Sequence, residues 1–90
     1  MEYVECKTPA QVKKAVKSGK EARIISMIAI TLASMPDAQI IVMPGAYLNL
    51  TLDSSQATIK TWGSSQATIE TRGSSQATIK TWGSSQATIE

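Results

Sequence analysis

Residues 53–90 read DSSQATIKTW GSSQATIETR GSSQATIKTW GSSQATIE, one ten-residue unit written four times with the last one short. Only three positions vary: the lead residue (Asp53, Gly63, Gly73, Gly83), a charged position (Lys60, Glu70, Lys80, Glu90) and the residue before each glycine (Trp62, Arg72, Trp82). A short fixed period means that every unit builds the same local structure and buries its apolar face against copies of itself. In a strand over Gln56 to Trp62, side chains alternate between two faces. Ala57, Ile59 and Thr61 share one face and read as inward. Gln56, Thr58, Lys60 and Trp62 share the other and read as outward. Gly63-Ser64-Ser65 carries the turn, with the glycine free to take a positive φ.

Two geometries satisfy this pattern. In a flattened β-solenoid, two units form a coil of about twenty residues. In an antiparallel meander, successive units pair as hairpins. The Lys/Trp units alternate with Glu/Arg units, a true period of twenty. That period favours the coil, which sets Trp62 beside Trp82, Glu70 beside Glu90, and Lys60 beside Lys80 at about 4.8 Å. The lysine row is mildly unfavourable; a meander would instead bring Lys60 to Glu70. A lone meander sheet, however, would leave its Ala/Ile/Thr face bare.

The unit can be traced backward in diverged form. Ile28, Ile30 and Leu32 alternate, then Ala38, Ile40 and Val42, then Leu48, Leu50 and Leu52, each row ten after the last. Ala57, Ile59 and Thr61 follow after nine, so one residue is dropped near Asp53. The early rows are the bulkier. A helix over Ser26 to Ser34 is the alternative, disfavoured by β-branched residues and period-two alternation. Upstream, Tyr3 to Cys6 suggests a short strand. Thr8-Pro9-Ala10-Gln11 opens a helix over about residues 9–18, with Thr8 as cap, Pro9 in the first turn and Gln11 closing a capping box. Val12 and Val16 form its apolar stripe, and Gly19 ends it. The expected fold is mainly β: a strand–helix–strand cap over residues 1–26, then a short β-solenoid over 27–90, in one domain. The tract reaches Glu90 without a cap, and an open strand edge invites another chain.

Composition narrows the function. Histidine is absent, which removes Ser-His and Cys-His catalysis and the commonest metal ligand. The lone Cys6 forms no internal disulfide and reads as a small buried hydrophobe. The Ser64-Ser65 pairs have no base nearby, Glu70 and Glu90 read as exposed beside Arg72, outside any cleft suited to acid–base work, and no glycine loop cradles phosphate. No cofactor, metal or enzymatic activity is expected. The apolar run from Ile24 to Leu32 is too short to span a bilayer, and Met1 to Glu5 lacks the marks of a signal peptide. A cytoplasmic location, or export without a classical signal, is the expectation, with no membrane association.

The remaining candidates are surfaces. Trp62 and Trp82 sit at outward corners, either as a shield for the turn backbone or as an association hot spot. With Lys60 and Lys80 they mix cations and aromatics, a weak pattern for single-stranded nucleic acid. Lys13, Lys14 and Lys17 lie on the helix, with Lys20 and Arg23 just beyond. They read as a solvated face near a helix C-terminus or as a site for an acidic partner. Arg72 stands at the opposite corner to the tryptophans, and Ile89 lies at the open C-terminal edge. Rows through Thr58, Thr68, Thr78 and Thr88 suggest an ice-binding face, spoiled by the adjacent Lys and Glu.

The units Ser54-Ser55-Gln56, Ser64-Ser65-Gln66, Ser74-Ser75-Gln76 and Ser84-Ser85-Gln86, with corners Trp62-Gly63, Arg72-Gly73 and Trp82-Gly83, resemble the decapeptide-repeat β-solenoid proteins of bacteriophages and prophages. The resemblance covers residues 53–90, and the strand–helix unit ahead is similar to what precedes such arrays. It implies a location in the host cytoplasm and transfers no functional residue. The expected role is a non-enzymatic structural or interaction module that self-associates. The alternative is a small phage-encoded inhibitor of a host defence or nucleic-acid-processing protein.

Overall fold

A computed structural model of the chain describes residues 2–35 and 37–89, with the side chain of Ile89 outside the description. The elements run β1 (Tyr3–Cys6), α1 (Pro9–Lys17), β2 (Glu21–Ile24), β3 (Met27–Ala33), β4 (Ala38–Val42), β5 (Tyr47–Asp53), β6 (Gln56–Thr61), β7 (Gln66–Arg72), β8 (Gln76–Thr81) and β9 (Gln86–Ile89). The Ser26 to Ser34 region is therefore strand, in keeping with its β-branched alternation.

The helix starts where its cap dictates. Thr8 Oγ1 accepts from Gln11 N at 3.4 Å, and Gln11 Oε1 accepts from Thr8 N at 3.3 Å and Lys7 N at 2.6 Å. Together these satisfy orphan donors of the first turn. Gly19 takes φ +72° just past the C-cap Ser18, and Lys20 N closes back on Ala15 O at 2.9 Å. Val12, Ala15 and Val16 are buried. Nine residues make a marginal helix alone, and this one packs on β1, β2 and β3.

The strands form two sheets, in the orders β1-β2-β4-β6-β8 and β3-β5-β7-β9. From β2 onward successive strands alternate between the sheets, and all the described pairings are parallel. Ile59 faces Ile79, twenty residues on, and Lys60 faces Lys80. Thr51, not Lys60, is the neighbour of Glu70. The hairpin pairing of a meander is thus absent from the described residues, and the lysines stand in the like-charged row.

Both sheets turn their alternate residues toward one core. Ile40, Val42, Leu48, Leu50, Leu52, Ile59 and Ile69 are at most 1% exposed. The core narrows along the ladder. Ile28 and Leu48 give way in register to Ala67 and Ala87, and Leu32 and Leu52 to Thr71. At the far end Ala77 and Ile79 are only partly buried.

Register also corrects the alignment of the units. Asp53 pairs with Arg72, not with a glycine of the later units. The next residue, Ser54, takes φ +51°, and Gly73, next after Arg72, takes +65°. Ser34, next after Ala33 which pairs with Asp53, takes φ +57°, so this corner holds serine in the left-handed conformation twice before Gly73 takes it over.

Candidate functional site

The tryptophan corner follows from the strand ends. β2, β4, β6 and β8 are each followed directly by Ile25, Met43, Trp62 and Trp82. Their amides continue the ladder: Ile25 N donates to Cys6 O, Met43 N to Ile24 O, Trp62 N to Val42 O and Trp82 N to Thr61 O, all within 3.2 Å. These residues therefore rise in one row along a single corner. Trp62 and Trp82 meet edge to face, with ring centroids 6.1 Å apart and planes at 75°. That arrangement matches the aromatic quadrupole better than a flat stack. Trp82 is 46% exposed and Trp62 half-buried.

Beside this ridge runs the row Arg23, Ile41, Lys60, Lys80. Ile41 is buried although it stands on the outer face. It is flanked by Arg23 and Lys60, whose aliphatic stems suit the covering of such a position. Lys60 and Lys80 have no ion pair among the described residues. Arg23 differs: it bonds Glu21 at 3.4 Å and lies 3.7 Å from the ring centre of Tyr3. That cation–π contact brings a basic residue of the expected cluster into the sheet face, and no sequence spacing marks it.

Lys13, Lys14 and Lys17 are exposed on α1, without an ion pair among the described residues. Lys20 departs from that group by bridging Glu2 at 3.5 Å. Lys14 and Lys20 line a cleft of about 320 Å³ with Val4, Gln11, Ala15 and Ser18. The structure thus separates the helix lysines from the Lys60–Trp82 face. Arg72 lies at the other corner, bonded to Glu70 at 3.3 Å. Ile89 sits opposite Ile69 at the edge of its sheet, its side chain outside the described residues, as is Glu90 with the expected Glu70–Glu90 row.

The serines have a role that sequence reasoning missed. Ser55 is buried and its Oγ donates to Leu32 O at 2.9 Å and Asp53 O at 3.1 Å, while accepting from Met35 N. Ser75 Oγ accepts from Ser55 N at 3.1 Å and donates to Arg72 O. At the tryptophan corner Ser85 Oγ bonds Trp82 O, Thr61 O and Thr61 Oγ1. The second serine of each pair thus points inward and ties one corner to the next. Ser65 is the exception: its Oγ is buried without a partner among the described residues. Recognising this needed the inward–outward alternation to be carried one step past the strand.

Cys6 is buried, its Sγ donating to Val4 O at 3.3 Å. Burial raises the thiol above its ordinary 9.0, partly offset by a backbone hydrogen bond at Arg23. The thiol is protonated at neutral pH and inert. No group of three or more His, Cys, Asp or Glu gathers into a metal site among the described residues. No helix among them is long and apolar enough to cross a membrane.

The chain is thus defined as a mainly β protein of two parallel sheets with one N-terminal helix. Comparison with protein-family models, curated proteins and solved structures gives no match.

Proposed function

We propose that the chain is a non-enzymatic β-solenoid module, two decapeptides to a coil, that self-associates through the edge at β8 and β9 or through the Trp62–Trp82 corner. One observation carries this reading. Strand β8 (QATIKT) is identical in sequence to β6, which it pairs, and the four residues of β9 (QATI) are identical to the first four of β7. The edge therefore presents a surface whose complement the chain itself contains. Joined to the resemblance of the SSQATI units to phage and prophage arrays, this supports a phage-type structural module. Light scattering over a concentration series tests it. The expected result is a mass that rises above 9.6 kDa with concentration. A mass fixed at one chain throughout would reject it.

A second reading is the phage-encoded inhibitor that engages an acidic host protein, favoured by the exposed Lys13, Lys14 and Lys17, which have no ion pair among the described residues. Replacing all three by glutamate would then abolish capture of that protein from host lysate. Unchanged capture would remove the helix from the account.

A further inference from the structure

We infer that the free side of β3, beside α1, takes up an extended acidic segment of a partner protein as an added strand. The inference rests on the reading of the helix lysines as a site for an acidic partner, and gives that site a place and a geometry.

Strand β3 lies between β2 and β4 in the chain, well inside both termini, and is bonded on one side only, to β5. Tyr47 N donates to Ser26 O and Ser34 N to Asp53 O, so the even-numbered residues of β3 turn their N–H and C=O groups to β5. Met27, Ala29, Thr31 and Ala33 therefore turn theirs the other way, where they have no backbone partner among the described residues. All four are exposed, Met27 by 78%. The strand reads MIAITLA, with no charge and no proline to discourage pairing.

The helix packs on β3 without closing this side. A hollow of about 160 Å³ lies between them, lined by Lys13 and Lys17 from α1 and by Thr31, Leu32 and Ala33 from β3. On the outer face the small Ala29 leaves a second hollow, of about 240 Å³, bordered by Met27, Tyr47 and Asn49. An added strand would bond Ala29 and Thr31 through its backbone, set one side chain over Ala29 and bring another to the lysines.

The charge of the guest follows from those lysines. Lys13 and Lys17 are exposed without an ion pair among the described residues, and β3 offers them no carboxylate. Asp53, the one acid of β5, stands a strand further in, in register with Ala33. Carboxylates on the guest would give both lysines charge-assisted partners. Lys14 borders a different cleft, with Val4 of β1 and Lys20, and takes no part. A second copy of this chain suits the place poorly: pairing β3 with β3 would carry the copy's own α1, and the same lysines, into one gap.

The probe is a dye-labelled peptide of alternating glutamate and threonine, titrated by fluorescence anisotropy against the full chain at physiological ionic strength. Binding is expected, with amide hydrogen exchange at Ala29 and Thr31 slowing as the peptide saturates and exchange in β6 unchanged. The same peptide with alternate amides methylated is expected to bind about tenfold more weakly, since it has lost donors to β3. Lys13→Glu/Lys17→Glu is expected to weaken binding of the first peptide about tenfold, and Lys14→Glu by less than about twofold. Equal losses in the two lysine variants, or full-strength binding of the methylated peptide, would overturn strand addition at β3 and leave the acidic-partner reading standing. Oligothymidylate that binds more tightly than the peptide would overturn it as well and assign the lysines to nucleic acid. A peptide that does not bind at all would overturn the inference, and capture from host lysate then decides the reading by itself. Should the lysine variants unfold, the wild-type exchange pattern and the methylated peptide decide.

Discussion

Strands β4 and β5, one in each sheet, lie next to β6 and β7 in parallel register, yet the two sets are filled differently. The first set presents Ala38, Ile40 and Val42 from one sheet and Leu48, Leu50 and Leu52 from the other. In register with them, the second presents Ala57, Ile59 and Thr61 from one sheet and Ala67, Ile69 and Thr71 from the other. Replacing leucine by alanine in register removes three carbons, worth about 2 kcal/mol of burial at each such place. The repeated units offset part of this with bonds. Thr61, fully buried, donates to Ser85 Oγ at 2.9 Å, and Ser55 ties three backbone groups of its corner. The lesson is that two jobs are divided. The diverged N-terminal strands and the helix supply apolar volume. The repeats supply register, through the hydrogen-bonded corners of Ser55, Ser75 and Ser85, and lean on the first half for stability.

The sharpest way to break this picture is to charge the shared core. Ile69→Asp places a carboxylate in a fully buried position and should cost several kcal/mol, enough to unfold a small domain. Thr68→Asp, one residue away on the outer face, should cost about 0.5 kcal/mol. Thermal melts of the two side by side decide; if they coincide, the inward and outward assignment is reversed or lost. Next in size is the contrast between the halves. Leu50→Ala should cost about 3 kcal/mol in urea titration. Ile79→Ala, at a half-covered site, should cost about 1 kcal/mol. Equal losses would mean that the far end is as tightly packed as the near one.

The corners give smaller effects. Gly63 has φ +66°, and a Cβ there would meet Pro44 Cγ at 2.9 Å. Gly63→Ala should therefore cost about 2 kcal/mol, from the left-handed backbone and the contact together. Ser54→Gly should gain up to about 1 kcal/mol by relieving φ +51°. Calorimetry that finds no shift in either would separate the corner conformations from stability. The serine pair is the last contrast. Ser55→Ala should cost about 1–2 kcal/mol because three backbone groups lose a partner. Ser65→Ala should cost nothing or stabilise slightly, since its hydroxyl is buried unpaired. A larger loss at Ser65 than at Ser55 would contradict the corner account.

Much of the fold was legible because it rests on periodicity. The alternation of Ala57, Ile59 and Thr61 marked the inner face, and the twenty-residue charge period predicted Lys60 beside Lys80. The Thr8–Gln11 box fixed the helix start. The surface was less legible. Trp62 and Trp82 were visible as repeats, but Ile25 and Met43, which extend their ridge, belong to no repeat and emerge only from register. The inward serines were hidden because polar residues in a turn read as solvent-facing. Their burial is set by where the corner backbone sends them. Arg23 on Tyr3 joins β1 to β2 across a helix, a separation that no local pattern carries.

The most direct test of the division between the halves is residue-resolved hydrogen exchange at high dilution, where single chains dominate. Protection is expected to peak in β3, β4 and β5, and to fall through β6 and β7 to its lowest in β8 and β9. Uniform protection along the whole ladder, or a maximum within Gln76–Ile89, would contradict it and assign the stability to the repeats themselves.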